Sequence, residues 1–513
     1  MRIQLITNNV GRVFDARDDG LHWWLGNLDD TITHSAADFV AIHLQELAGA
    51  AYKKGTARID DLQKLVDAVR TRFRDYWCSG MFASSVQDSD FTGLGCIVLV
   101  RRSMLPQVAL FEFGESIQSG DRWRPVSTLD EPLLVQPALP VRWSRHSTFP
   151  RNLFDDLVPS WTRKGWLHTR WRVDGQPLDL LNVHLFHDDS NLVALRRSTA
   201  LSPYANCRHA ALKHALTLLA ADSPPPAAIG PVPIALCVFG DFNFRLDARR
   251  VVELLAAGGE QALERALADP AAGTDSAPSS SEAVEAASTD DAIVQIAIRP
   301  SALPPSSPPS PPPSASSTSA SGSDWISASL SALTSKLCLC LAAPHTTLTI
   351  AAKKFDMDDR ARFGREADAF RSCDVEVAAC AELHPPLHEI EPPTFPPTYP
   401  HRVGAASTSA HPAYDSKRCP SWTDRVLLDA SGMRLLRAAT DVAYSAVHQE
   451  LVRNDHNMVH LAFSLSPSFR VGGEPLGVRV LASQAAASHV DGASVSKPAA
   501  WRVKAVTEVL VES

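Results

Sequence analysis

The sequence predicts an α/β protein: a two-sheet mixed β-sandwich flanked by helices, with a disordered Ala/Ser/Pro-rich insertion. Three observations carry this expectation. Short apolar runs recur along the chain between turn-rich segments. Two longer stretches space their Leu and Val as a half-buried helix does. Several runs also begin or end on a carboxylate, amide or imidazole, the pattern of strands delivering polar groups to one rim where loops gather.

In chain order the runs are RIQLITN (2–8), DFVAIHLQE (38–46), GLGCIVLVRR (93–102), GWLHTRWRV (165–173), LDLLNVHLF (178–186), PIALCVFGDFN (233–243), WTDRVLLD (422–429) and NMVHLAFSL (457–465). The helical stretches are Asp60 to Phe73 and Cys207 to Leu219. Composition then breaks after Asp269: Ala, Ser and Pro dominate, with too few large apolar residues to offset the entropy of ordering. The expected organisation is one domain over 1–466, interrupted by a low-complexity insertion at 270–350, and a C-terminal tail at 467–513. The CxC pair Cys338 and Cys340 inside the insertion reads as chemically idle.

Charge and cysteine content narrow the function. The 513 residues carry 49 Lys plus Arg against 57 Asp plus Glu, a net charge of -8. Such a chain does not coat nucleic acid or anionic membrane through bulk charge, so an anionic ligand must be held locally. Nine scattered cysteines, without paired CxxC knuckles, fit neither a disulfide framework nor a structural zinc site. The N-terminal run is too short and too interrupted for a signal peptide or membrane span, and the chain ends LVES, without a CaaX prenylation box. A cytoplasmic setting is expected, at most peripheral to the plasma membrane and without a stable anchor.

The chemistry concentrates at the run ends. In GDFNFR, Asp241 and Asn243 stand two residues apart and would face one side of an extended backbone. A carboxylate that takes a proton from water beside an amide that donates to a phosphate oxygen suits phosphate-ester hydrolysis. In RCPSWTDRVLL, Asp424 opens a strand, and Cys419 and Arg425 have the Cys-x5-Arg spacing of a cysteine phosphatase. That rival is disfavoured, because Pro420 lacks the N–H and Trp422 the smallness that a phosphate-cradling loop needs. Asp455 and His456 precede the last strand, with Asp424 available to orient His456. Asn182 and His184 share a strand face, and Glu46 closes an apolar run where an ionised carboxylate needs a partner. Oxygen and amide donors dominate, so the expected metal is Mg²⁺ rather than zinc. A basic stretch from Arg142 to Arg172, including Arg163-Lys164-Gly165, and Lys417-Arg418 supply separated cations suited to a small ligand bearing several phosphates.

With FGDFNFRLD and RCPSWTDRVL both present, the chain resembles the inositol polyphosphate 5-phosphatases, within the DNase I-like, magnesium-dependent phosphoesterases. FTGLGCIVLV, WTRKGWLHTRW, NVHLFHDDSNLVAL and PPTFPPTYP are similar to the type I branch, over roughly Arg2 to Asp269 and Lys353 to Ser466. The resemblance implies that Glu46 holds Mg²⁺ with Asn9, with Asp455 near the metal. It implies that Asp241 activates water, that Asn243 and His184 bind the scissile phosphate, and that His456, oriented by Asp424, stabilises its charge. Tyr399, Lys417 and Arg418 fall where relatives grip the 4-phosphate and Lys164 where they meet the 1-phosphate; Arg163 and Arg425 are placed with these ligand-binding residues. The implied reaction removes the 5-phosphate of soluble inositol 1,4,5-trisphosphate, and of the 1,3,4,5-tetrakisphosphate, ending a calcium signal. The alternatives are a phosphatidylinositol 4,5-bisphosphate 5-phosphatase, with transient membrane association, a nuclease of the same superfamily, and a catalytically dead inositol-phosphate binder. No nucleic-acid partner is expected, and oligomeric state is not legible.

Overall fold

The eight apolar runs are all strands in the computed structural model. It describes residues 1–13, 18–47, 49, 59–79, 93–113, 122–129, 143–154, 163–196, 201–221, 232–268, 292–299, 347–409 and 411–465. Sixteen strands are found there: β1 Arg2–Asn9, β2 Phe39–Gln45, β3 Tyr76–Cys78, β4 Gly95–Arg101, β5 Val108–Phe111, β6 Trp123–Pro125, β7 Arg145–Thr148, β8 Gly165–Val173, β9 Gln176–His184, β10 Ala235–Asp241, β11 Val294–Ala297, β12 Thr347–Ala351, β13 Lys354–Asp356, β14 Asp424–Leu428, β15 Thr440–Ala446 and β16 Val459–Ser464. One sheet runs β15-β16-β1-β2-β4-β3, and the other β14-β10-β9-β8-β5-β6 with β7 also paired to β8. Both are mixed: β1–β2 and β9–β10 are parallel, and their other pairings are antiparallel.

Alternation along each strand builds the sandwich. Phe39 and Ala41 of β2, Cys96, Val98 and Val100 of β4, Leu178 and Leu180 of β9, and Cys237 and Phe239 of β10 fill one core between the sheets. Their neighbours face outward. Val40 and Ile42 meet the helices Asp18–Ser35 and Ile59–Arg72, whose Trp24, Leu28 and Ile32, and Leu62, Leu65, Val66 and Val69, form helical stripes. Leu181, Val183 and Val238 meet Ala211, Leu212, Ala215 and Leu216 of the helix Pro203–Ala221. The predicted helices at 60–73 and 207–219 are thus present, the second extended at both ends.

The expected 270–350 boundary needs correction. Val294–Ala297 and Thr347–Ala351 are strands of a three-stranded sheet, β11-β12-β13. Val294, Ile296, Leu348 and Ile350 bury themselves with Leu255 and Leu263. The remaining insertion residues, the CxC pair and the 467–513 tail lie outside the described residues.

Chain direction gathers the polar run ends. β1 and β2 are parallel, and Asn9 and Glu46 follow from their C-terminal ends. β16 is antiparallel to β1, so Asp455 and His456, just ahead of it, come to the same edge. In the second sheet His184 pairs with Asp241 and Asp241 with Asp424. Beneath this rim the sheets are stitched by polar groups: Gln45 Nε2 donates to Asn182 Oδ1 (2.8 Å), and Asn182 Nδ2 to the carbonyls of Leu44 (3.1 Å) and Gly95 (2.9 Å). Asn182 is fully buried and satisfied, so it supports the rim rather than facing a ligand.

Candidate active site

The rim residues surround a cavity of about 380 Å³. Asn9, Glu46, Lys164, His184, Asp241, Asn243, Asp455 and His456 all reach it. Glu46 and Asp241, nearly two hundred positions apart in sequence, converge on one imidazole: His184 Nε2 is 3.8 Å from Glu46 Oε1 and 3.5 Å from Asp241 Oδ2. Asp241 is almost wholly buried and its oxygens are engaged, Oδ2 by Asn9 Nδ2 (3.0 Å) and Oδ1 by the Asn243 backbone N–H (2.9 Å). The expectation that Asp241 and Asn243 share one extended face is wrong in its cause. β10 ends at Asp241, and Asn243 enters the left-handed region at φ 53°, a conformation asparagine tolerates. The turn still aims Asn243 into the cavity. There its Nδ2 donates to the Leu185 carbonyl (3.0 Å) and its Oδ1 accepts from Arg245.

Two imidazoles take opposite charge states. His456 is buried, which alone would lower its pKa, but Asp424 and Asp241 outweigh burial and lift it to about 9. Its Nδ1 lies 3.0 Å from Asp424 Oδ2, and that oxygen also accepts from the Thr398 and Thr423 hydroxyls at 2.8 Å each. The imidazolium therefore keeps Nε2 for another acceptor. His184 is driven well below its ordinary pKa by burial and by the neighbouring Lys164 and Arg163 charges. Neutral, its Nε2 accepts from Lys164 Nζ at 2.5 Å. Burial lowers Lys164 to about 8, against the pull of Asp241 and Glu46.

The oxygen donors suit a hard cation. A Cβ on Gly11 would stand 2.7 Å from Glu46 Oε2 and 3.4 Å from Asn9 Oδ1, so the glycine leaves a cradle beside both oxygens. Burial raises the pKa of Asp455, and the nearby Glu46 charge adds to it, a repulsion that a bound cation would relieve. A second grouping, Asp241, Asp424 and His456, has ligand atoms within 4.8 Å of one another. It is a poorer metal site, because Asp424 already serves His456 and two hydroxyls. Glu46, Asn9 and Asp455 are the residues that fit.

The expected ligand-binding residues divide. Lys164, Tyr399 and Lys417 line the cavity. Arg163 lines it too, paired with Glu46 (3.0 Å) and donating to the Gly49 carbonyl (3.1 Å). Arg418 reaches the cavity, but its guanidinium donates to the carbonyls of Asp188 (2.9 Å), Lys417 (3.0 Å) and Ala352 (3.2 Å), clamping the β12–β13 turn. Arg425 is a correction: it is fully buried away from the cavity and locked by Asp374, Glu389 and the Trp422 carbonyl. The same lock disposes of the cysteine-phosphatase rival, as does Cys419, which is buried with its thiol pushed well above the usual range.

Sequence reasoning missed Arg245. It stands two residues beyond Asn243 in GDFNFR, is 7% exposed and packs over the Tyr399 ring (4.6 Å), which in turn leans on His456 (4.4 Å). Its Nη2 donates to Asn243 (2.9 Å), while Nε and Nη1 have no partner. Buried, charged and two-thirds unsatisfied, it is built to meet an anion. The final Arg of the motif was the available signal.

No protein-family profile matches the chain. Human inositol polyphosphate-5-phosphatase A is 26% identical over 478 residues, covering 91% of this chain and 93% of the relative. The probable type I inositol 1,4,5-trisphosphate 5-phosphatase of Caenorhabditis elegans is 26% identical over 466 residues, covering 90% and 99%. Among solved structures, the inositol polyphosphate 5-phosphatase domain of SPsynaptojanin, in complex with inositol (1,4)-bisphosphate and calcium ion, aligns over 90% of this chain and 83% of its own at 12% identity and a TM-score of 0.37. With near-complete mutual coverage by curated relatives, and with Asp424 of PSWTD paired to Asp241 of GDFNFR and holding His456 at the cavity, the chain is similar to the inositol polyphosphate 5-phosphatases, which are phosphoric monoester hydrolases.

Proposed function

We propose that the chain is a magnesium-dependent phosphomonoesterase that removes the 5-phosphate of soluble inositol 1,4,5-trisphosphate. The observation that carries this reading is the convergence of Glu46 and Asp241 on His184 inside a cavity that also presents Lys164, Arg245 and the His456 imidazolium. Residues 1–466 act as the catalytic unit, and the ligand is a free cytoplasmic inositol phosphate.

Glu46, Asn9 and Asp455 would hold Mg²⁺, which when bound would supply Lewis-acid stabilisation of charge on the phosphate oxygens. The protein's own groups do the rest. Asp241 orients a water and accepts its proton as the oxygen attacks phosphorus in line; the P–O bond to the inositol 5-oxygen breaks, and the proton taken up by Asp241 is returned through solvent to that oxygen, which leaves as the hydroxyl. Arg245 Nε and Nη1 and His456 Nε2 donate to the non-bridging oxygens as charge builds. His184, neutral and fixed by Lys164, fills the space between the two carboxylates. Lys417 and Tyr399 take the neighbouring 4-phosphate.

The test is phosphate release from inositol 1,4,5-trisphosphate and from phosphatidylinositol 4,5-bisphosphate, with and without Mg²⁺. The expected result is metal-dependent turnover of the soluble compound, reduced about 10³-fold or more in Asp241→Asn. Equal release in EDTA, or an unimpaired variant, refutes the mechanism; turnover of the lipid alone refutes the substrate.

A further inference from the structure

Beside the active-site pocket lies a second cavity of about 380 Å³, walled in part by Arg12, Tyr399, His401, Arg402, Lys417 and Arg453. Arg12, Tyr399, Lys417 and Asp455 line both, so the two form one continuous cleft. Charge in the second cavity is unbalanced. Four cations, Arg12, Arg402, Lys417 and Arg453, face two carboxylates, Asp415 and Asp455. The carboxylates already have counterions: Arg12 Nε lies 3.9 Å from Asp455 Oδ2, and Lys417 Nζ 3.9 Å from Asp415 Oδ2. Arg402 and Arg453 are the excess, with no side-chain hydrogen-bond or ion-pair acceptor among the described residues. In a chain of net charge -8 this is a local arrangement, not general basicity.

The backbone fixes where these two cations stand. The Arg402 N–H donates to the Ala413 carbonyl (2.7 Å) and the Gly404 N–H to the Val452 carbonyl (2.7 Å), while the Arg453 N–H donates to Gln449 Oε1 (3.0 Å). Two loops are thereby tied together with one arginine on each. His401, on the same wall and 3% exposed, has an Nε2 without a partner. A buried, unpaired imidazole nitrogen beside two open guanidinium forks calls for a ligand with several acceptor oxygens.

We infer that this cavity is a phosphate-binding subsite, occupied by a further phosphate of the same polyphosphorylated molecule whose ester is cleaved next door. The inference rests on the phosphomonoesterase reading of the adjoining pocket. With the scissile ester at Asp241, the phosphate vicinal to it on a six-membered ring meets the shared wall of Tyr399 and Lys417. The next phosphate along the ring passes that wall and meets Arg402 and Arg453. The cleft therefore favours a ligand with three adjacent phosphates over one with two.

The test compares the full chain with Arg402→Ala/Arg453→Ala on inositol 1,4,5-trisphosphate and inositol 1,3,4,5-tetrakisphosphate. The expected result is a KM for the tetrakisphosphate raised about 10-fold or more, with kcat and both trisphosphate constants within about twofold of the parent. Equal losses on both substrates, or none on either, overturn the subsite. Sedimentation with phosphatidylcholine vesicles, with and without phosphatidylserine, tests the other source of phosphate: loss of vesicle binding with unchanged tetrakisphosphate kinetics overturns the single-ligand assignment. If the parent hydrolyses neither substrate, the 5-phosphatase reading has failed, and calorimetry with inositol hexakisphosphate decides the subsite alone. Affinity lost in the double variant then upholds it, and unchanged affinity overturns it.

Discussion

Two kinds of buried arginine in this molecule separate structure from function. Arg208 and Arg425 are saturated. Arg208 donates to Glu376, Asp188 and the Phe186 carbonyl, and Arg425 to Asp374, Glu389 and the Trp422 carbonyl. Each joins distant chain segments, and each has its pKa raised, because the paired carboxylates outweigh burial. Arg245, similarly enclosed, leaves two of its three nitrogens without a partner and lines the active-site cavity. A satisfied buried charge fixes a fold; an unsatisfied one is held ready for a ligand.

Removing one of each kind should break the comparison cleanly. Arg425→Met leaves Asp374 and Glu389 buried without their counterion, which costs about 3–5 kcal/mol of stability. Denaturant unfolding reads this directly, and a loss below about 1 kcal/mol would show the triad to be dispensable. Arg245→Met should do the reverse. It removes a donor to the developing charge, so kcat for the trisphosphate falls about 10²-fold while unfolding free energy changes by less than about 1 kcal/mol. A variant that unfolds easily yet turns over normally would reclassify Arg245 with Arg425.

The two arginines also mark what the sequence disclosed. Strands were legible because β2, β4 and β10 are short continuous apolar runs, as strands buried on both faces read, and their polar ends were legible because a carboxylate closing an apolar run needs a reason. Arg425 was misassigned by following a motif past its strand parity. Asp424 faces the site from the side of β14 that holds Val426 and Leu428, so Arg425 must point the other way, with Leu427. Arg245 was missed because Asn243 turns the chain at positive φ, and parity gives no direction beyond such a turn. The helix Asp18–Ser35 went unseen because Gly20, Asn27 and several Asp and Thr residues mask its Trp24-Leu28-Ile32 stripe. β11 carries only Val294 and Ile296 as buried anchors, too little to stand out beside Ala/Ser/Pro text.

A smaller contrast lies between the charged His456 of the site and the neutral His43 of the core. His43 is sealed between the sheets, stacked on Phe239 with centroids 3.5 Å apart and its Nδ1 on the Phe239 carbonyl at 2.9 Å. Burial lowers its pKa from 6.5 to about 3, despite that hydrogen bond. Above pH 6.5 both folded and unfolded chains hold it neutral, and it is silent. Below, the unfolded chain binds a proton that the folded chain refuses, so stability falls by about 1.4 kcal/mol per pH unit until the folded pKa is reached. Unfolding free energies measured across this range should slope less steeply in His43→Gln; an identical slope would assign the acid sensitivity elsewhere.

The gentlest test bears on the metal cradle, where the contrast is between a side chain and the lack of one. Glu46 and Asn9 project oxygens toward the space beside Gly11, and a methyl group there would stand 2.7 Å from Glu46 Oε2. Backbone freedom is not the reason for glycine here, since Gly11 is not among the residues with positive φ. Gly11→Ala must therefore displace the carboxylate without straining the chain. Titration with Mg²⁺ or Mn²⁺ should show affinity weakened about 10-fold, with the unfolding midpoint in the absence of metal nearly unchanged. Unaltered metal affinity would mean that Glu46 meets its cation from another side, and the space beside Gly11 would lose its meaning.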